Sequence, residues 1–108
     1  MKFGLSDTTI SAIHSVLMRQ HEVEGALLYG SRAKGTFKHG SDIDLTLIGG
    51  SELTDTVLYR VADELDDLLL PYEIDLSLFS DIQDAAVVDH IQRRGIVFFS
   101  RDDAKDQA

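Results

Sequence analysis

The sequence contains no cysteine, which excludes disulfide bonds and thiolate metal ligands and agrees with a reducing compartment. It has no apolar run of about 18 residues and no signal-peptide stretch near residue 1, so we expect a cytoplasmic protein without a membrane span. Basic residues are scarce, since 10 Lys and Arg stand against 19 Asp and Glu, for a formal net charge of −9. Extended nucleic-acid contact needs a basic surface, so direct nucleic-acid binding is not expected.

With 108 residues, the chain is long enough for one hydrophobic core but has no room for a separate acceptor-binding domain. We assign residues 1–99 to a single domain and predict that the polar residues 100–108 form a disordered tail. The four histidines show no close metal-ligand spacing, which disfavours a zinc site. We interpret His14, His90 and Tyr29 as packing residues, because they lie on or beside apolar segments.

Hydrophobic periodicity predicts three main helices and four strands. The helices are expected over 7–20, 54–69 and 80–94, and the strands over 25–29, 43–48, 73–79 and 96–99. A short loop or helix is expected between the first two strands. Ser6 is the predicted N-cap of the first helix, and Ser80 with Gln83 forms a predicted capping box for the last. This order predicts an α/β (α+β) fold, a small mixed β-sheet with helices packed on one face.

Two carboxylates lie at the start of the second predicted strand. Asp42 and Asp44 are one residue apart, and alternate side chains of a strand share a face, so both point away from the neighbouring aliphatic residues. Carboxylates at this spacing suit hard cations such as Mg²⁺, which also bind substrate phosphates. Asp75 alternates with aliphatic residues on the third strand. Glu73, two residues earlier on the same face, is the alternative to Asp75.

A short basic loop connects the first strand to this carboxylate pair and begins at Gly30-Ser31. A glycine lets the backbone approach a polyphosphate, with its N–H and the Ser31 hydroxyl as donors. Arg32 and Lys34 are candidates for neutralising the β and γ phosphates, and a solvated surface charge is the alternative for each. Ser41 either orients the next carboxylate by a hydrogen bond or caps a turn, and these two roles are compatible.

Taken together, Gly30-Ser31, Gly35, Ser41-Asp42-Ile43-Asp44-Leu45 and the later Asp75 resemble the signature of the nucleotidyltransferase superfamily of DNA polymerase β. Within it, the chain is similar to the minimal nucleotidyltransferases, the short single-domain branch, over about residues 8–99. The resemblance implies a polymerase β-like fold in which Asp42 and Asp44 hold two Mg²⁺ ions. Asp75 would ligate the second ion and place or deprotonate the attacking hydroxyl. Attack at the α-phosphorus of a nucleoside triphosphate, expected to be ATP, would then release pyrophosphate.

The minimal branch is often paired with a small all-helical protein of the HEPN type in toxin–antitoxin modules. The resemblance therefore implies that this chain is an antitoxin that adenylylates its toxin, binds it, or does both. Two alternatives stay open: a nucleotide-binding masking subunit without essential catalysis, and a transferase for a small molecule such as an antibiotic. Three acidic residues favour catalysis over masking alone, and the lack of a second domain disfavours the small-molecule acceptor. The sequence leaves open whether the chain forms a homodimer or a hetero-oligomer.

Overall fold

The computed structural model describes residues 1–102. Its elements in chain order are α1 (Asp7–Arg19), β1 (Gly25–Tyr29), α2 (Ser31–Lys34), β2 (Ile43–Ile48), α3 (Asp55–Asp66), β3 (Ile74–Leu78), a 3₁₀ turn (Phe79–Asp81), α4 (Ala85–Arg94) and β4 (Ile96–Ser100). The four predicted strands are confirmed to within one residue at each end. Among the described residues, none of the helices is both long enough and apolar enough to cross a membrane.

The four strands form one mixed sheet in the order β3-β2-β1-β4. Strand β1 pairs antiparallel with β2 on one side and with β4 on the other, whereas β2 and β3 are parallel. Parallel neighbours need a crossover, and α3 provides it. The predicted small mixed α/β sheet is confirmed.

Helices α1 and α3 pack on one face of the sheet and form the core with it. The apolar residues that share this core come from both helices and from β1 and β2: Ile13, Val16, Leu17, Val57, Val61, Leu65, Ala26, Leu28, Ile43, Leu45 and Leu47. Full burial of one such large side chain contributes about 1.5–3 kcal/mol. Because Ile43, Leu45 and Leu47 point into this core, the alternate residues of β2, including Asp44, face the other side.

Helix α4 occupies a position that the sequence did not indicate. Tyr29 is in register with Asp44 and shares its face of the sheet. The ring of His90, on α4, meets the ring of Tyr29 edge-on, with 6.2 Å between the centroids. Helix α4 therefore lies beside the carboxylate-bearing face, at the end of β1.

The predicted start of the last helix is wrong. Residues Phe79–Asp81 form a separate 3₁₀ turn, and α4 begins only at Ala85. Its N-cap is Asp84, whose side chain accepts the backbone N–H of Ala86 at 2.9 Å. Ser80 lies too far ahead of the first helical turn to cap it. The predicted N-cap of α1, Ser6, is confirmed by its bond from the Thr9 N–H at 3.1 Å.

The first two residues of the predicted tail are part of the fold. Ser100 is the last residue of β4 and pairs with Gly25. Arg101 donates to the carbonyl oxygens of Leu17, Gln20 and Val23 at 3.1, 2.9 and 2.9 Å. These bonds tie the C-terminal end of α1 and the segment after it to the end of β4. The Leu17 and Gln20 oxygens also accept backbone N–H groups, from Gln20 at 3.1 Å and from Val23 at 2.9 Å. The predicted disorder is therefore wrong for residues 100–101, and residues 103–108 lie outside the described part of the chain.

Candidate active site

Acidic side chains gather where β2 and β3 begin. Asp44 and Asp75 are register partners on these parallel strands, and partners in neighbouring strands are about 4.8 Å apart. Asp42 lies two residues before Asp44 and is close enough for its charge to raise the pKa of the Asp44 carboxyl. Within residues 1–102, none of these three side chains forms a hydrogen bond or an ion pair with another residue. Negative charge is thus concentrated here, and within residues 1–102 it is not neutralised by a direct ion pair.

The pKa of the Asp44 carboxyl is raised above its ordinary value of 3.8. Partial burial is the largest cause, followed by the charges of Asp75 and then Asp42, while Arg32 and His90 act in the opposite direction. Grouped carboxylates disfavour one another's charged forms, and a bound cation removes that penalty. Oxygen donors of this kind match the preference of Mg²⁺, so the donor set fits this ion.

The carboxylates form an open site and not a closed cage. In the described part of the chain, no three acidic or histidine side chains already converge around a point that could hold a metal ion. Asp42 and Asp75 are exposed, and Asp44 is half-buried between them. Mg²⁺ keeps several waters and takes further ligands from substrate phosphates, so an open set of this kind suits a metal that arrives with its nucleotide.

Gly30 joins β1 to α2 in a backbone conformation that favours glycine. Its φ is 76° and its ψ is −152°, and a β-carbon at this position would collide with the Asp44 carboxylate. The Gly30 N–H donates to Nε2 of His90 at 3.1 Å. The N–H that the sequence predicts as a phosphate donor is therefore already bonded within the protein, and the required glycine is explained by its contact with Asp44.

Arg32 lies inside the fold and not at an open surface. Its side chain is only 3% exposed, and its guanidinium lies against the rings of Phe37 and Tyr72, at 5.2 and 4.9 Å. It donates to the carbonyl of Ser41 through Nε and Nη2, at 3.1 and 2.7 Å, and to that of Phe3 through Nη1 at 2.8 Å. The predicted contact of Arg32 with a triphosphate is thus corrected: the residue anchors the loop that leads to the carboxylates.

The remaining predicted loop residues lie in different settings. The hydroxyl of Ser41 accepts the Lys38 N–H at 2.8 Å, and the Ser41 N–H donates to the Lys38 carbonyl at 3.0 Å, so Ser41 closes a turn. Ser31 is half-buried as the first residue of α2. Lys34, the last residue of α2, is exposed and accessible to an anion.

Tyr29 and His90, interpreted from the sequence as packing residues, belong to the site. Burial raises the pKa of the Tyr29 hydroxyl, and the nearby Asp75 and Asp44 add to that rise. The signal for Tyr29 is present in the sequence, because strand alternation puts it on the face opposite its buried neighbour Leu28. Nothing local indicates His90, since its place depends on where α4 crosses the sheet.

The family model described as "Polymerase beta, Nucleotidyltransferase" matches residues 11–104, which include every residue of this site. The chain belongs to this nucleotidyltransferase family. The resemblance seen in its sequence is confirmed, and the protein is a nucleotidyltransferase. No curated protein sequence gives a significant match.

Solved structures share the fold of this nucleotidyltransferase at low sequence identity. A toxin–antitoxin crystallised with AMP-PNP has a chain that is 20% identical, with a TM-score of 0.68 over 84% of this chain and 73% of that one. The Shewanella oneidensis complex of a tri-AMPylated HEPN toxin with its MNT antitoxin gives 14% identity and a TM-score of 0.65, over 95% and 79%. A minimal nucleotidyltransferase gives 22% identity and a TM-score of 0.66, over 89% and 95%. At these identities the likeness concerns the fold.

Proposed function

We propose that this nucleotidyltransferase transfers AMP from ATP to a hydroxyl group of a partner protein, and that it is the antitoxin of a HEPN-type toxin. The observation that carries the proposal is the in-register pair Asp44 and Asp75, whose carboxylates form no ion pair within residues 1–102. Asp44 also lies directly against Gly30. Two further observations support the partner and the nucleotide. One related complex contains a tri-AMPylated HEPN toxin, and another contains AMP-PNP.

Asp42, Asp44 and Asp75 would hold Mg²⁺, which when bound neutralises the triphosphate and lowers the pKa of the attacking hydroxyl. Asp75, exposed at the start of β3, takes the proton of that hydroxyl. The hydroxyl oxygen forms a bond to the α-phosphorus, and the bond between the α-phosphorus and the bridging oxygen to the β-phosphate breaks. Lys34 stabilises the pyrophosphate that leaves, since it is the exposed cation at the end of α2.

The exposure of the carboxylates favours a macromolecular acceptor. Asp42 and Asp75 face solvent, so a hydroxyl on the surface of another protein can approach them. We therefore infer a hetero-oligomer with the toxin in the cytoplasm, where ATP and Mg²⁺ are both abundant. The two alternative functions are a masking subunit and a small-molecule transferase. Neither would produce a labelled protein, so a labelling experiment distinguishes both from this proposal.

The test is label transfer from ATP carrying radioactive α-phosphate to proteins of the native host's lysate, in the presence of Mg²⁺, with the labelled protein identified by mass. We expect one protein band that takes the α label, takes none from γ-labelled ATP, and disappears with Asp42→Asn. Glu73→Gln is the matched control, because it removes an exposed carboxylate of the same region. A γ label would indicate a kinase. Mg²⁺-dependent ATP binding without any labelled protein would contradict the proposal.

A further inference from the structure

His90 reaches from α4 to the backbone at the end of β1. Its Nε2 lies 3.1 Å from the Gly30 nitrogen. A backbone N–H only donates, so Nε2 is the acceptor and a proton of the neutral ring sits on Nδ1. The Tyr29 ring also contacts the imidazole edge-on, with 6.2 Å between the ring centroids. The histidine is therefore held in one orientation by two consecutive residues of β1 and the loop.

Both backbone polar groups of Gly30 form hydrogen bonds. Its carbonyl accepts the N–H of Lys34 at 3.1 Å, within the turn of α2, and its N–H is bonded to His90. Glycine has a wide choice of backbone conformations, so the observed φ of 76° and ψ of −152° require such outside restraints. Of these two bonds, the one to His90 comes from an element distant in sequence.

Gly30 in turn limits where the Asp44 carboxylate can lie. The two are in such close contact that a β-carbon on Gly30 would collide with Oδ2 of Asp44. The Asp44 side chain forms no hydrogen bond within residues 1–102, so its orientation depends on what packs around it. A shift of the Gly30 peptide would therefore change the space available to a carboxylate at the centre of the site.

We propose that His90 is a positioning residue of the transfer reaction, which holds the Gly30 peptide so that Asp44 keeps its productive orientation. The residue acts through Gly30 and has no assigned contact with substrate. The inference rests on the proposed function for its kinetic readout. The bond itself can be measured without any reaction.

The kinetic test compares wild type, His90→Ala, His90→Gln and Gln92→Ala in α-label transfer at varied ATP concentration. We expect His90→Ala to lower kcat by about 10- to 100-fold with a smaller change in KM, because a misplaced catalytic group costs rate. Glutamine places an amide oxygen near the position of Nε2, so His90→Gln should recover kcat to within about fivefold of wild type. Gln92, exposed on the same helix, is the control and should change nothing. Equal kcat values for wild type and His90→Ala would overturn the inference.

The second test is hydrogen exchange of the Gly30 amide, followed by NMR on the metal-free protein. We expect the Gly30 amide to be protected from exchange in wild type. Its protection factor should fall by at least about tenfold in His90→Ala and recover in His90→Gln. Unchanged protection in His90→Ala would overturn the inference even if no transfer activity were found. Absence of transfer by wild type, with this exchange pattern intact, would contradict the proposed function and leave the bond established. If His90→Ala does not fold, His90→Asn replaces it, since its shorter amide cannot reach Gly30.

Discussion

Asp44 and Asp75 are register partners on adjacent parallel strands, on the face of the sheet opposite the core. Burial and the neighbouring carboxylates raise the pKa of Asp44 above 3.8 in the folded protein. The folded state therefore binds the Asp44 proton more tightly than the unfolded chain does. This stabilising contribution is complete below the unfolded pKa and is lost as pH rises through the folded pKa, so at neutral pH the ionised Asp44 opposes folding.

Replacing Asp44 with asparagine should stabilise the metal-free protein while it abolishes transfer. We expect the Tm of Asp44→Asn to exceed that of wild type by roughly 2–4 °C at neutral pH without divalent ions, and the difference to shrink toward pH 3. Added Mg²⁺ should raise the Tm of wild type and not that of the variant, since bound ligand stabilises only a protein that binds it. Thermal melts by circular dichroism measure both effects. A lower Tm for Asp44→Asn at neutral pH would contradict the charge argument.

The proposed role of Asp75 can be tested by comparing it with Glu73, the carboxylate two residues earlier. Asp75→Asn should reduce α-label transfer by at least about 100-fold, because Asp75 is the proposed ligand of a metal ion and the proposed proton acceptor. Glu73→Gln makes the same chemical change two residues earlier and should retain activity within about twofold. Initial rates at saturating ATP and Mg²⁺ measure the difference. The reverse order of effects would assign the third carboxylate to Glu73.

Regular alternation explains why most of the fold and the acidic site are predictable from the sequence. In β2, Ile43 and Leu45 are buried and Asp44 is directed to the other face, as the period of two requires. The pattern in β3 is weaker, but it still places Asp75 opposite the aliphatic residues that it separates. Each of these assignments needs only the local sequence, because burial of one face determines the direction of the other.

Features that depend on contacts between distant residues were not predictable. The local sequence around a basic residue in a glycine-rich loop is the same whether its side chain binds a phosphate or a backbone carbonyl. The burial of Arg32 therefore cannot be inferred from the sequence. His90 gains its role only because α4 crosses near Gly30, 60 residues away. The predicted start of α4 is wrong for a different reason: Ser80 and Asp84 are both good N-caps, and local preference does not choose between them.

Arg32 is expected to stabilise the loop and not to bind ATP. Arg32→Lys keeps the charge but loses the forked bonds to the Ser41 carbonyl and the planar contact with Phe37 and Tyr72. We expect a loss of about 2–3 kcal/mol in the free energy of unfolding, measured by urea denaturation. A variant with unchanged stability and a much higher KM for ATP would instead indicate that Arg32 contacts the triphosphate.

Lys34 is the basic residue expected to contact the triphosphate. Lys34→Glu should raise the KM for ATP by about tenfold or more, equivalent to roughly 1.4 kcal/mol, because a favourable charge becomes a repulsive one. Lys38→Glu is the matched control, since Lys38 is also exposed and the change in net charge is identical. Its KM should remain within about twofold of wild type. Equal effects of both variants would indicate a general charge effect and no specific contact.

Arg101 should contribute to stability although it lies beyond the predicted domain. Its guanidinium donates hydrogen bonds to the carbonyl oxygens of Leu17, Gln20 and Val23, at and just beyond the end of α1. It also lies 5.6 Å from the centroid of the Phe99 ring. Arg101→Ala removes these charge-assisted bonds and leaves the Val23 oxygen without its donor, whereas the Leu17 and Gln20 oxygens keep backbone donors. We therefore expect a loss of about 1.5–3 kcal/mol in the free energy of unfolding. Asp102→Ala, at the next and exposed position, should change it by less than about 0.5 kcal/mol. If both variants unfold at the same urea concentration as wild type, the contacts of Arg101 add nothing to the fold, and the domain ends where the sequence predicts.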